Sequence, residues 1–125
     1  MQVNKVFIAG NLARDPEASV VTSGQAVTNL HIATNRKYKG GNGQVKEEVT
    51  YVGVEVWGKA AEDCAKFLKK GSTVHVEGRL KLKEWVPKGE SQKRSMLEVV
   101  CERIQFIDRL PKNGAVQVDG AVADS

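Results

Sequence analysis

Two aromatic side chains, Tyr51 and Trp57, lie on one face of a predicted β-strand, where flat rings can stack on other flat groups. The strand covers Thr50–Lys59, and its side chains alternate between two faces. One face carries valines at positions 52, 54 and 56, which is typical of packing on a core. A water-covered face would be small or polar, yet the opposite face holds an aromatic near each end. Stacking on a ligand, cross-strand aromatic pairing and burial in a subunit interface are interpretations that this strand alone leaves open.

A third aromatic, Tyr38, lies among the cations Arg36, Lys37 and Lys39, directly before Gly40-Gly41-Asn42-Gly43. Three glycines and an asparagine in four positions predict a flexible hairpin tip. A solvated loop would account for the cations but not for the ring. We therefore expect this segment to face a ligand.

Cations and Trp85 share one side of the strand predicted over Thr73–Leu82. Apolar residues at positions 74, 76, 80 and 82 share one parity of this strand. The alternate positions hold His75, Glu77, Arg79, Lys81, Lys83 and Trp85. A bulge at Gly78 would reset this register. The following loop, residues 86–94, adds Lys88, Lys93 and Arg94.

The residue types that carry metal or acid–base chemistry are sparse. Cys64 and Cys101 form no C-x-x-C motif, and His31 and His75 are the two histidines, so neither a zinc site nor another cofactor is expected. Reduced, partly buried thiols are the favoured interpretation, although the sequence leaves a disulfide open. The carboxylates are scattered, whereas a nuclease would need them clustered around a metal, so no catalytic activity is expected.

Five predicted strands and one helix position these side chains. The strands cover Val3–Ala9, Ala26–Thr34, Thr50–Lys59, Thr73–Leu82 and a long or bent segment over Met96–Val100 and Ile104–Ile107, with a loop between the first two. Helical spacing of apolar residues predicts a helix over Lys59–Lys70, ended by Gly71, with Phe67 in the core or in a packing role. All-β organisation with one helix between strands three and four predicts an OB-fold, a five-stranded Greek-key barrel that binds oligonucleotides.

Length and composition indicate one intracellular, soluble domain over residues 1–110. The chain of 125 residues is 41% hydrophobic, and its 19 basic against 15 acidic residues give a net charge of +4. This surplus permits a polyanionic partner. No signal peptide and no membrane span is predicted. Residues 111–125, rich in small residues and without an aromatic, are predicted to form a mobile C-terminal tail.

Taken together, a series of short motifs resembles the bacterial-type single-stranded DNA-binding proteins over residues 1 to about 110. The motifs occur in family order, with family-like spacing. They are Val3-Asn4-Lys5-Val6, Gly10-Asn11-Leu12, Asp15-Pro16-Glu17, Ala33-Thr34-Asn35-Arg36, Val56-Trp57-Gly58-Lys59-Ala60-Ala61-Glu62, Leu68-Lys69-Lys70-Gly71-Ser72 and Val76-Glu77-Gly78-Arg79-Leu80.

The resemblance implies a homotetramer of OB-folds around which single-stranded DNA wraps during replication, recombination and repair. The family's four aromatic platforms fall on Tyr38, Tyr51, Trp57 and Trp85. Interleaved cations suit the same partner, because charge follows the phosphates while rings stack on unpaired bases of any sequence. The cations expected to contribute are Lys5, Arg36, Lys37, Lys39, Lys59, Lys81, Lys83 and Arg94.

Three departures from the family pattern narrow these expectations. Ser19-Val20 replaces an arginine–aromatic pair, and Glu84 stands where a cation is common. The family's acidic tip ending in Ile-Pro-Phe recruits other replication proteins, but this sequence ends at Ala123-Asp124-Ser125. Recruitment by that route is therefore not expected, whether the sequence is truncated or is a phage, plasmid or divergent variant.

A cytoplasmic, nucleoid-associated location is expected, or the host cytoplasm for a phage protein. The main alternative function is an OB-fold accessory module that binds RNA or a replication or primosome protein. Stacking and charge alone do not separate DNA from RNA.

Overall fold

The computed structural model describes the backbone of residues 1–110 and 114–118, and the side chains of residues 1–107. The predicted mobile tail falls largely outside these described residues. Its one described part is a short strand, Gly114–Val118, that pairs with the preceding strand of the chain.

The described part of the chain forms seven strands and one helix. In chain order they are β1 Val6–Leu12, β2 Glu17–Val20, β3 Ala26–Lys39, β4 Val45–Trp57, α1 Lys59–Phe67, β5 Thr73–Trp85, β6 Arg94–Leu110 and β7 Gly114–Val118. Five of the strands close a barrel in the order β1-β5-β6-β4-β3 and back to β1, while β2 and β7 are additions at its margins. The predicted five-stranded OB-fold is confirmed, with its helix between the third and fourth barrel strands.

The N-terminal elements differ from the predicted ones. β1 begins and ends three residues later than Val3–Ala9, because Asn11 and Leu12 pair with β3 and close the barrel. Leu12 is a core residue, and the Asn11 amide donates to the Thr73 hydroxyl. The predicted loop also contains β2, whose four residues are all exposed. No apolar alternation marks such a strand, so the pattern in the sequence could not reveal it.

Two hairpins extend from the barrel. β3 and β4 stay paired out to Lys39 and Val45, and the turn between them contains the predicted glycine-rich tip. Gly43 adopts a positive φ of 82°, which a glycine accommodates without strain. β5 and β6 form the second hairpin, paired out to Trp85 and Arg94.

The core lies inside the barrel and under α1. Alternate residues of the strands fill it, and Ala61 and Cys64 cover one end. Phe67 was predicted to lie in this core or to pack, and the residue lies outside the core because it is 59% exposed. The helix ends at Phe67, and Leu68 takes the next position over the core. Among the described residues, no helix is long and apolar enough to cross a membrane.

A β-bulge lies opposite Gly78, where the sequence suggested one. Glu77 pairs with Arg103 and Gly78 pairs with Cys101, so Glu102 is the extra residue and it belongs to β6. The alternation of β5 is therefore unbroken. A Cβ on Gly78 would collide with the Val100 carbonyl oxygen, so the close approach of the two backbones requires a glycine.

Candidate nucleic-acid interface

The outward face of β4 carries the two aromatic residues predicted there. Tyr51 is 70% exposed, and Trp57 is partly buried. Val54 and Val56 point into the core as the alternation requires. Glu55 also lies on the outward side of β4, but it is only 8% exposed.

The β5–β6 hairpin adds cations and a second tryptophan to the same face. Lys81 pairs with Glu98, and Trp85 pairs with Arg94. The Lys81 ammonium lies 3.9 Å from the Glu55 carboxylate, which joins this hairpin to the outward face of β4. We call this surface the aromatic–basic face, and its members are Tyr51, Trp57, Lys81, Lys83, Trp85 and Arg94.

Trp85 lies at the edge of a shallow pocket of about 230 Å³, lined by Lys83, Trp85 and Met96. The ring is 40% exposed, so one side of it is available for stacking. A flexible methionine next to an open ring suits a surface that accepts bases of different shape.

Tyr38 is positioned differently. It lies on the opposite side of the β3–β4 ribbon from Tyr51, because Ala33 is the partner of Tyr51 and Tyr38 is five residues further along β3. The Arg36 guanidinium lies 5.3 Å from the centre of the Tyr38 ring. Tyr38 thus lies apart on the hairpin, whereas the other three predicted platforms share the aromatic–basic face.

Most of the predicted cations have carboxylate partners. Lys83 lies 3.8 Å from Glu98, and Lys59 lies 3.1 Å from Asp63. The other pairs are Lys81–Glu55 at 3.9 Å, Arg36–Glu48 at 4.0 Å and Arg94–Glu90 at 2.8 Å. These cations must exchange a carboxylate for a phosphate if DNA binds.

Lys5 is the most firmly held of them. Its ammonium lies 2.8 Å from Glu77 and 3.1 Å from Glu102, and hydrogen bonds to these two carboxylates raise the pKa of Lys5. By contrast, Lys37 and Lys39 form no ion pair within the described part of the chain. The free cations of the predicted set therefore lie on the β3–β4 hairpin.

Three acidic residues near the interface were missed by the sequence analysis. Glu55 and Glu98 are set into the aromatic–basic face, with side chains 10% and 12% exposed. Glu17 lies beside the face, and its carboxylate accepts a hydrogen bond from His31 Nε2 over 2.8 Å. This bond and the charge of His31 lower the pKa of Glu17. The alternation of β4 placed Glu55 outward, but nothing in the sequence showed that its neighbours would cover it.

No group of three or more metal-binding side chains lies within the described residues. Cys64 and Cys101 are free thiols, as favoured from the sequence. Burial raises the pKa of both, that of Cys101 to about 12, so neither is a ready nucleophile.

The decisive comparison concerns the family of this barrel. The model of the single-strand binding protein family matches residues 3–107. The chain belongs to this family. Its members therefore provide the reference for the aromatic–basic face.

Curated relatives share the family across most of the chain. The single-stranded DNA-binding protein 2 of Chlorobaculum tepidum is 40% identical over 124 residues, covering 98% of this chain and 83% of that protein. The single-stranded DNA-binding protein of Wolinella succinogenes is 43% identical over 105 residues, covering 84% of this chain and 64% of that protein.

Solved structures share the fold. The single-stranded DNA-binding protein of Thermus aquaticus, as a deletion mutant, superposes with a TM-score of 0.75 at 30% identity. That match covers 91% of this chain but 54% of the Thermus chain. A Plasmodium falciparum complex with single-stranded DNA superposes with a TM-score of 0.77 at 24% identity, covering 86% and 97% of the two chains.

Proposed function

We propose that the protein binds single-stranded DNA without regard to sequence and protects it during replication, recombination and repair. The observation that carries the proposal is the aromatic–basic face of a barrel that belongs to the single-strand binding family. Relatives and neighbours named for single-stranded DNA binding support it.

The face accounts for binding without sequence readout. Tyr51, Trp57 and Trp85 stack on unpaired bases, and every base has a flat face to offer. Lys81, Lys83 and Arg94 contact phosphates between them. Tyr38, with Lys37 and Lys39, continues the path on the β3–β4 hairpin. Duplex DNA should bind more weakly, because its bases are already stacked on one another.

We expect affinity to fall as salt rises, with a slope of log affinity against log salt of roughly −0.7 for each neutralised phosphate. The free lysines should contribute most. Replacing Lys37 with alanine is expected to flatten the slope by about 0.7. Replacing Lys5 should flatten it much less, because Glu77 and Glu102 already neutralise its charge.

Titrations of the parent and these two variants against oligo-dT at several salt concentrations test this expectation. A mixed-sequence oligonucleotide of equal length serves as the sequence control. A slope near zero, or strong preference for one sequence, would contradict non-specific binding. Competition with the matched RNA oligomer decides whether the partner is DNA. Preferred RNA binding would favour the accessory-module alternative.

We propose a homotetramer as the working form. Residues Val6–Gly10 of β1 pair with β5 along one edge of the strand. On the other edge, β1 pairs with β3 at Asn11 and Leu12. Within the described residues, the second edge of β1 is therefore open along most of its length, and such an edge favours pairing with another chain. Phe7 on this strand is 63% exposed, which adds apolar surface for a partner subunit.

Light scattering of the purified protein at micromolar concentration is expected to give the mass of four chains. Phe7→Ala should shift the distribution towards smaller species at the lowest concentrations, because buried apolar area stabilises the contact. Val20→Ala, which removes an exposed apolar side chain from β2 instead, is the matched control. A monomer at all concentrations would refute the assembly.

The protein acts by binding rather than by catalysis, in keeping with its family of DNA-binding proteins. We place it in the cytoplasm on the nucleoid, or in the host cytoplasm if a phage encodes it.

A further inference from the structure

Glu55 is an unusual residue for a surface that binds a polyanion. Its side chain is 10% exposed in the middle of the aromatic–basic face. Carboxylates are rarely buried without partners that satisfy them. Glu55 has two such partners, and both belong to the predicted DNA path.

The first partner is the indole of Trp57. Its Nε1–H donates to Glu55 Oε1 over 2.6 Å, a short bond of the charge-assisted kind. A partly buried indole N–H otherwise lacks an acceptor, so this bond fixes the direction in which the ring projects.

The second partner is Lys81, whose ammonium lies 3.9 Å from the same Oε1 atom. A phosphate that approaches Lys81 meets the negative charge of Glu55 at the same place. Glu98 is similarly placed, since its carboxylate lies 3.8 Å from the Lys83 ammonium. Within the described residues, however, it forms no hydrogen bond to an aromatic side chain. Both carboxylates thus place a negative charge beside a lysine of the face. They differ because Glu55 also accepts a hydrogen bond from the Trp57 ring.

We propose that Glu55 is a positioning residue that holds the Trp57 ring for stacking, and that its charge competes with phosphate for Lys81. Together with Glu98, it keeps the face from binding DNA too tightly to release it. The proposal rests on single-stranded DNA binding by the aromatic–basic face.

Glu55→Gln removes the charge and keeps the acceptor. The glutamine oxygen can still accept a hydrogen bond from the Trp57 N–H. The glutamine NH₂ group can donate to the buried Oδ1 of Asn29, the cross-strand neighbour, which has no hydrogen-bond partner among the described residues. The variant is therefore expected to fold. We expect it to bind oligo-dT about fivefold more tightly at low salt, because no carboxylate at position 55 then competes with phosphate for Lys81. Its salt slope should steepen by about 0.7, because Lys81 then gains a phosphate without losing a carboxylate.

Two further variants separate charge from positioning. Glu98→Gln should raise affinity by a similar factor without changing the emission of Trp57. Glu55→Leu also lacks the charge but offers no acceptor, so it should bind more weakly than Glu55→Gln. These variants are compared in a Trp85→Phe background, so that the fluorescence comes from Trp57. In Glu55→Leu, the emission of Trp57 and its quench by DNA should differ from those of the parent.

The outcomes bear on each part separately. Unchanged or weaker binding by Glu55→Gln would overturn the competition with phosphate. Equal affinity and equal emission of Glu55→Gln and Glu55→Leu would overturn the positioning role. Either failure would leave single-stranded DNA binding intact, whereas unchanged affinity of both Trp57→Ala and Trp85→Ala would contradict the proposed function itself.

Discussion

Replacing Gly78 with alanine is expected to lower the free energy of unfolding by about 1–3 kcal/mol, the usual cost of forcing extra volume into a packed site. The added Cβ would meet the Val100 carbonyl oxygen and lie 2.9 Å from a methyl group of Val99. Neither a backbone carbonyl nor a core valine can move aside without separating β5 from β6. The β5–β6 pairing that continues from the bulge out to Lys81, Lys83 and Trp85 would then be strained.

Gly41→Ala is the matched control, since a Cβ on Gly41 meets nothing within 4 Å and its φ is not positive. Its free energy of unfolding should stay within about 0.5 kcal/mol of the parent. Urea unfolding of both variants, followed by circular dichroism, measures the difference. Equal midpoints for Gly78→Ala and the parent would show that the two strands are not locked together at the bulge.

The sequence predicted the parts of the fold in which local pattern and tertiary packing agree. Strict alternation on β4 placed Val54 and Val56 in the core and Tyr51 outside. Glycine and asparagine marked the hairpin tip, and helical spacing located α1, although it placed the end of the helix at Lys70 rather than Phe67. In each case one short-range signal decided the structure.

The remaining features depend on which residues meet across strands. The exposed β2 has no apolar pattern, and it is held by backbone pairing with β3. Glu55 is covered because β5 brings Lys81 over it, and no spacing within β4 reveals that contact. The register of β3 against β4 likewise decides that Tyr38 and Tyr51 lie on opposite sides of the ribbon.

Replacing Trp85 with alanine is expected to cost about 1–3 kcal/mol of affinity for oligo-dT, the measured worth of one base–aromatic stack. Replacing Trp57 should cost a similar amount, and the double variant about 2–6 kcal/mol if the two stacks are independent. Fluorescence anisotropy of a labelled oligonucleotide measures the affinities. Phe67→Ala is the control, since this exposed ring lies on α1, outside the aromatic–basic face.

Thermal unfolding of the same samples separates stacking from packing. Trp85 is 40% exposed and belongs to no core cluster, so Trp85→Ala should keep most of the parent's stability. Trp57→Ala should lose more, because it removes a partly buried ring and leaves Glu55 without the indole N–H. A fully buried ring would instead cost about 3–5 kcal/mol of stability. If Trp57→Ala melted far below the parent while each folded molecule bound DNA with unchanged affinity, its ring would serve packing alone. We expect instead that each folded Trp57→Ala molecule binds DNA more weakly than the parent. The reason is that the ring lies on the outward side of β4, between the exposed Tyr51 and the cations of the β5–β6 hairpin.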